Sequence, residues 1–178
     1  MFRFWTLSGR FALLSMLVVA LTMAGLVSIP MPPPLAPHDL SPVLIYAVGI
    51  LLGPMHALVV VASAQGVSAA YKAAAYSWPP VSVLVVMFVR GFEAFLISLM
   101  VGMKPSSIRP ISGWEVAAMA VGALLEVMGL FLADWLLFGC WRAMLAPMAV
   151  ADVVFIPLAI LVVAAARRML RVERLLFW

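Results

Sequence analysis

The sequence predicts an all-α fold: an integral membrane bundle of six transmembrane helices, with the N- and C-termini cytoplasmic. Three observations lead there. Hydrophobic residues make up 67% of the chain and charged residues 10%, whereas a soluble domain carries about 25% charged residues. No globular core hides that much apolar side chain, so lipid is the expected solvent. The apolar residues gather into runs of helical span length, and Lys and Arg collect at their ends on one side. The 178 residues read as a single transmembrane domain, 1–178.

Residues 11–29 are an uncharged apolar run preceded by Arg3 and Arg10. The run exceeds a signal-peptide core of about 7–15 residues, and Thr22-Met23-Ala24 is a poor cleavage site. It therefore reads as a retained first span. Residues 30–40 form an outer loop with Pro30, Pro32, Pro33, Pro34 and Pro37, stiff and non-helical because proline fixes φ and donates no hydrogen bond. Residues 41–53 and 55–70 are shorter apolar segments split by the Gly53-Pro54 turn signal. They read as two spans, with one re-entrant hairpin as the alternative. Residues 71–78 are a polar-aromatic link. Residues 80–103, 114–138 and 147–166 complete the set.

Orientation follows from the basic residues. With the N-terminus inside, Arg3, Arg10, Lys104, Arg109, Arg167, Arg168, Arg171 and Arg174 all flank the inner face. The outer loops hold only Lys72 and Arg142, and Arg90 lies within a span. Trp5, Trp78, Trp114, Trp135, Trp141 and Trp178 fall at or near helix ends, where an amphipathic indole prefers to sit.

Several function classes are disfavoured. The net charge of +4 sits at helix ends rather than in a stripe, so no nucleic-acid partner is expected. Cys140 is the only cysteine, and His38 and His56 are the only histidines. No metal-ligand spacing and no phosphate-binding loop occur. The chain is thus expected to carry no cofactor and to be no enzyme. Any ATP hydrolysis belongs to another subunit. His38, in the loop, is expected to be solvated, and His56 to lie at the inner interface.

Arg90, Glu93, Glu126, Asp134 and Asp152 fall inside the expected spans. Each ionisable group at mid-depth costs about 2.5–3.5 kcal/mol on insertion scales, so its default reading is functional. Arg90 and Glu93 are three apart on one helix face and can neutralise one another. The set is expected to surround one cavity between helices four, five and six, open to the outside. Lys72 is a further partner near the outer surface, and Tyr46 and Tyr71 are candidate pocket aromatics. Four carboxylates against one intramembrane arginine imply protonated acids or a ligand bringing hydrogen-bond donors or positive charge. Ala118, Gly122, Glu126 and Gly129 give the fifth helix a small face for close approach. On the first helix, Ser8 and Ala12, and again Ala20 and Ala24, are spaced by four.

The order of elements resembles a known family. The stretch from Asp39-Leu40-Ser41-Pro42 through Tyr46-Ala47 runs into Gly49-Ile50-Leu51-Leu52-Gly53-Pro54-Met55-His56-Ala57. Val89-Arg90-Gly91-Phe92-Glu93-Ala94-Phe95 follows, and then the helix with Gly122, Glu126, Gly129, Phe131 and Asp134. This order is similar to the substrate-binding S component of energy-coupling-factor (ECF) vitamin transporters, riboflavin- and pyrimidine-type branch. The resemblance implies capture of a small vitamin-like ligand from outside a cell membrane. It also implies delivery through a separate transmembrane coupling protein and ATPase subunits, with Ser8, Ala12, Ala20 and Ala24 on the docking helix and the residue 30–40 loop as an outer lid. The stretch from Ala149 to Phe155 lacks the family's glutamine, Leu130 stands where a tyrosine is common, and Ala94 replaces a common glycine. The ligand's identity is therefore not carried over. The alternatives are a structural or assembly protein held by interhelical charge pairs, and an intramembrane carboxylate enzyme.

Overall fold

A computed structural model describes residues 7–29, 38–103, 111–139 and 152–170. The described chain is helical except for one two-residue ladder and short turns. Helix α1 spans Leu7–Leu26, strands β1 and β2 span Ser28–Ile29 and His38–Asp39, and α2 spans Ser41–Leu51. Then come α3 (Pro54–Tyr76), α4 (Val81–Met103), α5 (Gly113–Phe138) and α6 (Ile156–Leu170). The expected lid residues 30–37 and the expected start of the sixth helix, 147–151, lie outside the described residues.

Four helices are long and apolar enough to cross a membrane: Gly9–Leu26 of α1, and the whole of α3, α4 and α5. Their outward faces carry Met16, Val19, Phe88, Phe92, Leu124, Met128 and Leu132, all exposed. Such a surface is compatible with a hydrocarbon solvent and is rare on a soluble monomer. Helix α2 has 11 residues and rises only about 16 Å. All of them but Leu44 are buried, so α2 is an inner element that the other helices surround.

The first, third and sixth helices differ from the sequence reading. The sixth runs Ile156–Leu170 rather than 147–166, because residues 152–155 form a tighter 3-10 turn before the α-helix begins. The first helix ends at Leu26 rather than near 29, because the chain turns into an antiparallel ladder pairing Ser28 with Asp39 and Ile29 with His38. The Leu40 N–H then donates to the Ala24 carbonyl at 3.2 Å, satisfying a helix-end acceptor. The third helix continues through the expected link to Tyr76, since Ala73, Ala74 and Ala75 favour helix. It stops at Ser77, whose φ of 55° is left-handed, and the Trp78 N–H returns to the Ala73 carbonyl. At the start of α5, Ser112 and Glu115 form a reciprocal capping box.

Helix α2 sits between two apolar clusters. One face packs Ile45, Val48 and Leu52 on Leu21 of α1 and on Val60, Val61 and Ala64 of α3. The other packs Val43, Tyr46, Ala47 and Ile50 on Ile97 of α4, Met119 of α5 and Ala159 of α6. Ile97 is wedged between two glycines. A Cβ at Gly49 would lie 2.9 Å from its Cγ2, and one at Gly122 would lie 2.6 Å from its Cδ1 and Cγ1.

Overpacking of this kind costs about 1–3 kcal/mol. Gly122→Ala is expected to lower the thermal unfolding midpoint in detergent by that order, and Ile97→Ala in the same chain to recover part of the loss. Independent, additive losses would show that α4 and α5 do not meet there.

Candidate functional site

The site forms at one end of the bundle, where the ladder meets the start of α2, the last turns of α3, the first half of α4 and the turn before α6. The segment Asp39-Leu40-Ser41 builds its first wall. Asp39 Oδ1 accepts the Ser41 N–H at 3.0 Å and also the Ser41 hydroxyl, an Asx-type turn that starts α2. Lys72 of α3 donates its ammonium to Asp39 Oδ2 at 2.6 Å. Burial alone would raise the Asp39 carboxyl, but the Arg90 and Lys72 charges and the bonds from Lys72 and Ser41 hold it well below the usual carboxylate range.

Arg90 of α4 is the hub. Its Nε donates to Glu126 Oε1 of α5 at 2.7 Å. Its Nη1 reaches Asp39 Oδ1 at 3.3 Å and Gln65 Oε1 of α3 at 3.1 Å, and donates to the Ser41 hydroxyl. One guanidinium thus joins α4 to the ladder, α2, α3 and α5. None of these bonds uses Nη2, and the side chain keeps 12% exposure.

A second layer of acid lies behind it. Glu93 and Glu126 are both 0% exposed. Both Glu93 oxygens, Glu126 Oε2 and Gln65 Nε2 have no hydrogen-bond partner among the described residues. Glu93 packs on α5, where a Cβ at Gly122 would meet its Cγ at 3.3 Å, and its carboxyl lies within reach of Glu126. Asp152 also lies within reach of Glu126. Its backbone carbonyl accepts the Tyr46 hydroxyl at 3.4 Å, and its Oδ1 is 3.9 Å from His38 Nε2.

The structure therefore brings together Arg90, Glu93, Glu126, Asp152, Tyr46 and Lys72. It does not bring in Tyr71, which is 63% exposed on α3. Asp134 is two turns beyond Glu126, about 12 Å along the axis. The expected Arg90–Glu93 pair does not form. Arg90 turns across to Glu126, Asp39 and Gln65, while Glu93 lies a turn along α4 against Gly122. His38 is buried rather than solvated, because the ladder holds it beneath the turn that carries Asp152.

Sequence reasoning left Asp39, Ser41, Gln65 and His38 out of the site. Asp-x-Ser before an apolar run is a turn-and-cap signal, and an amide within an apolar helix is a polar residue needing a partner. Those two signals could have found three of the four. Of the expected docking stripe, Ala12 and Ala20 are exposed and Ala24 is half-buried. The Ser8 side chain lies outside the described set. The far end of the bundle has its own tie: Arg167 of α6 donates to Glu115 of α5 at 2.6 and 3.3 Å.

No known protein family and no curated protein matches the sequence.

Because the folded Asp39 carboxyl titrates below its unfolded counterpart, its contribution is full above about pH 4 and is lost as pH falls toward the folded value. Asp39→Asn is expected to be less stable than wild type at neutral pH, with a shallower loss of stability on acidification. Parallel pH profiles in a detergent unfolding assay would contradict the Asp39 cradle.

Proposed function

We propose that the chain is the substrate-capture subunit of an ECF-type vitamin importer, lying in the cell membrane as a six-span, multi-pass bundle with both termini cytoplasmic. One observation carries the reading: a nearly buried arginine lies beside two fully buried glutamates, three of whose carboxyl oxygens have no hydrogen-bond partner among the described residues. Ionisable groups inside an apolar bundle are costly, and they are kept where a ligand or ion is handled. Asp39, Arg90, Lys72 and Asp152 gather at one end, whereas Arg10, Arg167 and Arg168 sit toward the other. The positive-inside rule makes the first of these the outer end.

In this reading Arg90 and Glu126 fix the polar edge of a small heterocycle, and Tyr46 backs the site. A separate coupling protein docks on the exposed side of α1, at Ala12 and Ala20, and ATPase subunits drive release inside. One observation favours a second reading. Arg90 already bonds four other segments through protein atoms alone, as it would in an assembly protein whose charges only tie helices.

Mass spectrometry of small molecules that co-purify with the detergent-solubilised chain separates the two. Capture predicts a bound heterocycle that raises the unfolding temperature of wild type and does not stabilise Glu126→Gln to the same extent. Preparations without any bound small molecule, stabilised by no vitamin tested, would leave the helix-tie reading. Chemical conversion of an added compound would point to an enzyme.

A further inference from the structure

Helix α1 is the least anchored of the four long helices. Only 11% of its span is buried in the bundle, against 44% for α3 and 28% for α4 and α5. Yet its last turn bears on every acceptor on one side of Arg90. The Ala24 carbonyl takes the Leu40 N–H at 3.2 Å, and Leu40 lies between Asp39 and Ser41. Just past the helix, Ser28 pairs with Asp39 in the ladder. Gly25 packs on α3: a Cβ there would lie 3.0 Å from Ser68 Oγ, 3.1 Å from Ser68 Cβ and 3.7 Å from Gln65 Nε2.

Gln65 and Ser68 are both buried. The Gln65 amide faces two ways. Its Oε1 accepts from Arg90 Nη1 at 3.1 Å, and its Nε2 has no hydrogen-bond partner among the described residues. Bonded at one end, the amide is held at the other by packing against the end of α1. The guanidinium is divided in the same way. Nη1 serves Asp39, Ser41 and Gln65, all of which lean on α1. Nε serves Glu126 of α5, and α5 packs chiefly on α4.

Coupling within a protein runs through packed side chains and hydrogen bonds that have two arrangements. We propose that the seat of α1 on α3 controls the hub: when the end of α1 lifts from Gln65 and Ser68, Arg90 loses its Nη1 partners and keeps Glu126. Gln65 is the positioning residue that passes the movement across α3. The inference goes beyond ligand capture and stands without it. A guanidinium stripped of partners in so apolar a setting is costly, so the bonds that α1 supports also hold α1 in place.

The test is a thermodynamic cycle on the full chain, unfolded in detergent. Gly25→Val crowds Ser68 and Gln65 and lifts α1. Arg90→Lys keeps the charge and removes the Nη1 arm. Sites that ignore one another add to within about twofold in the unfolding constant. Here Arg90→Lys is expected to cost at least about fivefold less in the Gly25→Val chain than in wild type. Additivity to within about twofold overturns the proposal.

Stability against pH is the second measurement and needs no Arg90 variant. The groups that face Asp39 are Lys72 on α3, Arg90 on α4 and Asp152 before α6, with His38 beside it on β2. Lifting α1 withdraws Arg90 from Asp39, so Gly25→Val should lose stability less steeply on acidification than wild type. Added to Asp39→Asn, it should change the slope no further. A profile for Gly25→Val that runs parallel to wild type shows simple overcrowding and overturns the proposal. Gly25→Ala, whose Cβ meets Ser68 alone at close range, replaces Gly25→Val if that chain fails to fold.

Discussion

A single guanidinium organises this bundle. Arg90 lies in the interior of an apolar helix, where a lone charge would be severely penalised. It donates hydrogen bonds to the ladder, α2, α3 and α5 at once. Asp39 is held in turn by Lys72 and Ser41. The charge is tolerable only if all of these segments arrive together, so fold and site are one constraint. Removing one partner of such a buried pair typically costs about 3–5 kcal/mol, because the other charge is stranded.

The packing around the hub serves that requirement. Helix α2 is short, yet nearly all of it is buried. Its two faces separate an α1–α3 cluster from an α4–α5–α6 cluster, and its first turn delivers Ser41 to Arg90. Ile97, pinched between Gly49 and Gly122, sets how closely α4 approaches both neighbours. That same approach carries Glu93 against α5. At the far end Glu115 and Arg167 make a separate buried pair, and the Trp114 indole N–H donates to the Met100 carbonyl at 2.7 Å. The two ends thus differ in kind. One is closed by a charge pair and a helix cap; the other gathers acid in excess of its cations.

Much of the fold was legible from composition and run length. The fourth and fifth helices were expected at 80–103 and 114–138, within a residue of α4 and α5, because long apolar runs between proline and glycine signals leave little choice. The end of the first helix and the reach of the third were not legible. The first depends on a ladder between segments ten residues apart, and the third on an alanine run that looked like a polar link beside Tyr71 and Lys72. The site was half legible. Arg90, Glu93, Glu126 and Asp152 stood out because charge within an apolar run is conspicuous. Asp39 and Gln65 did not, since a loop acid and a helix amide are ordinary until an arginine is found pointing at them. The Arg90–Glu93 pair failed because spacing along one helix gives proximity of Cβ atoms and says nothing about which way a long side chain turns.

The most direct test of the hub is a double-mutant cycle between Arg90 and Glu126. Unfolding free energies in detergent would be measured for Arg90→Gln, Glu126→Gln and both together. The Nε to Oε1 contact at 2.7 Å predicts a coupling of about 1–3 kcal/mol. Single effects that add to within about 0.5 kcal/mol would mean that the two groups do not sense one another, and that Arg90 is held by something else.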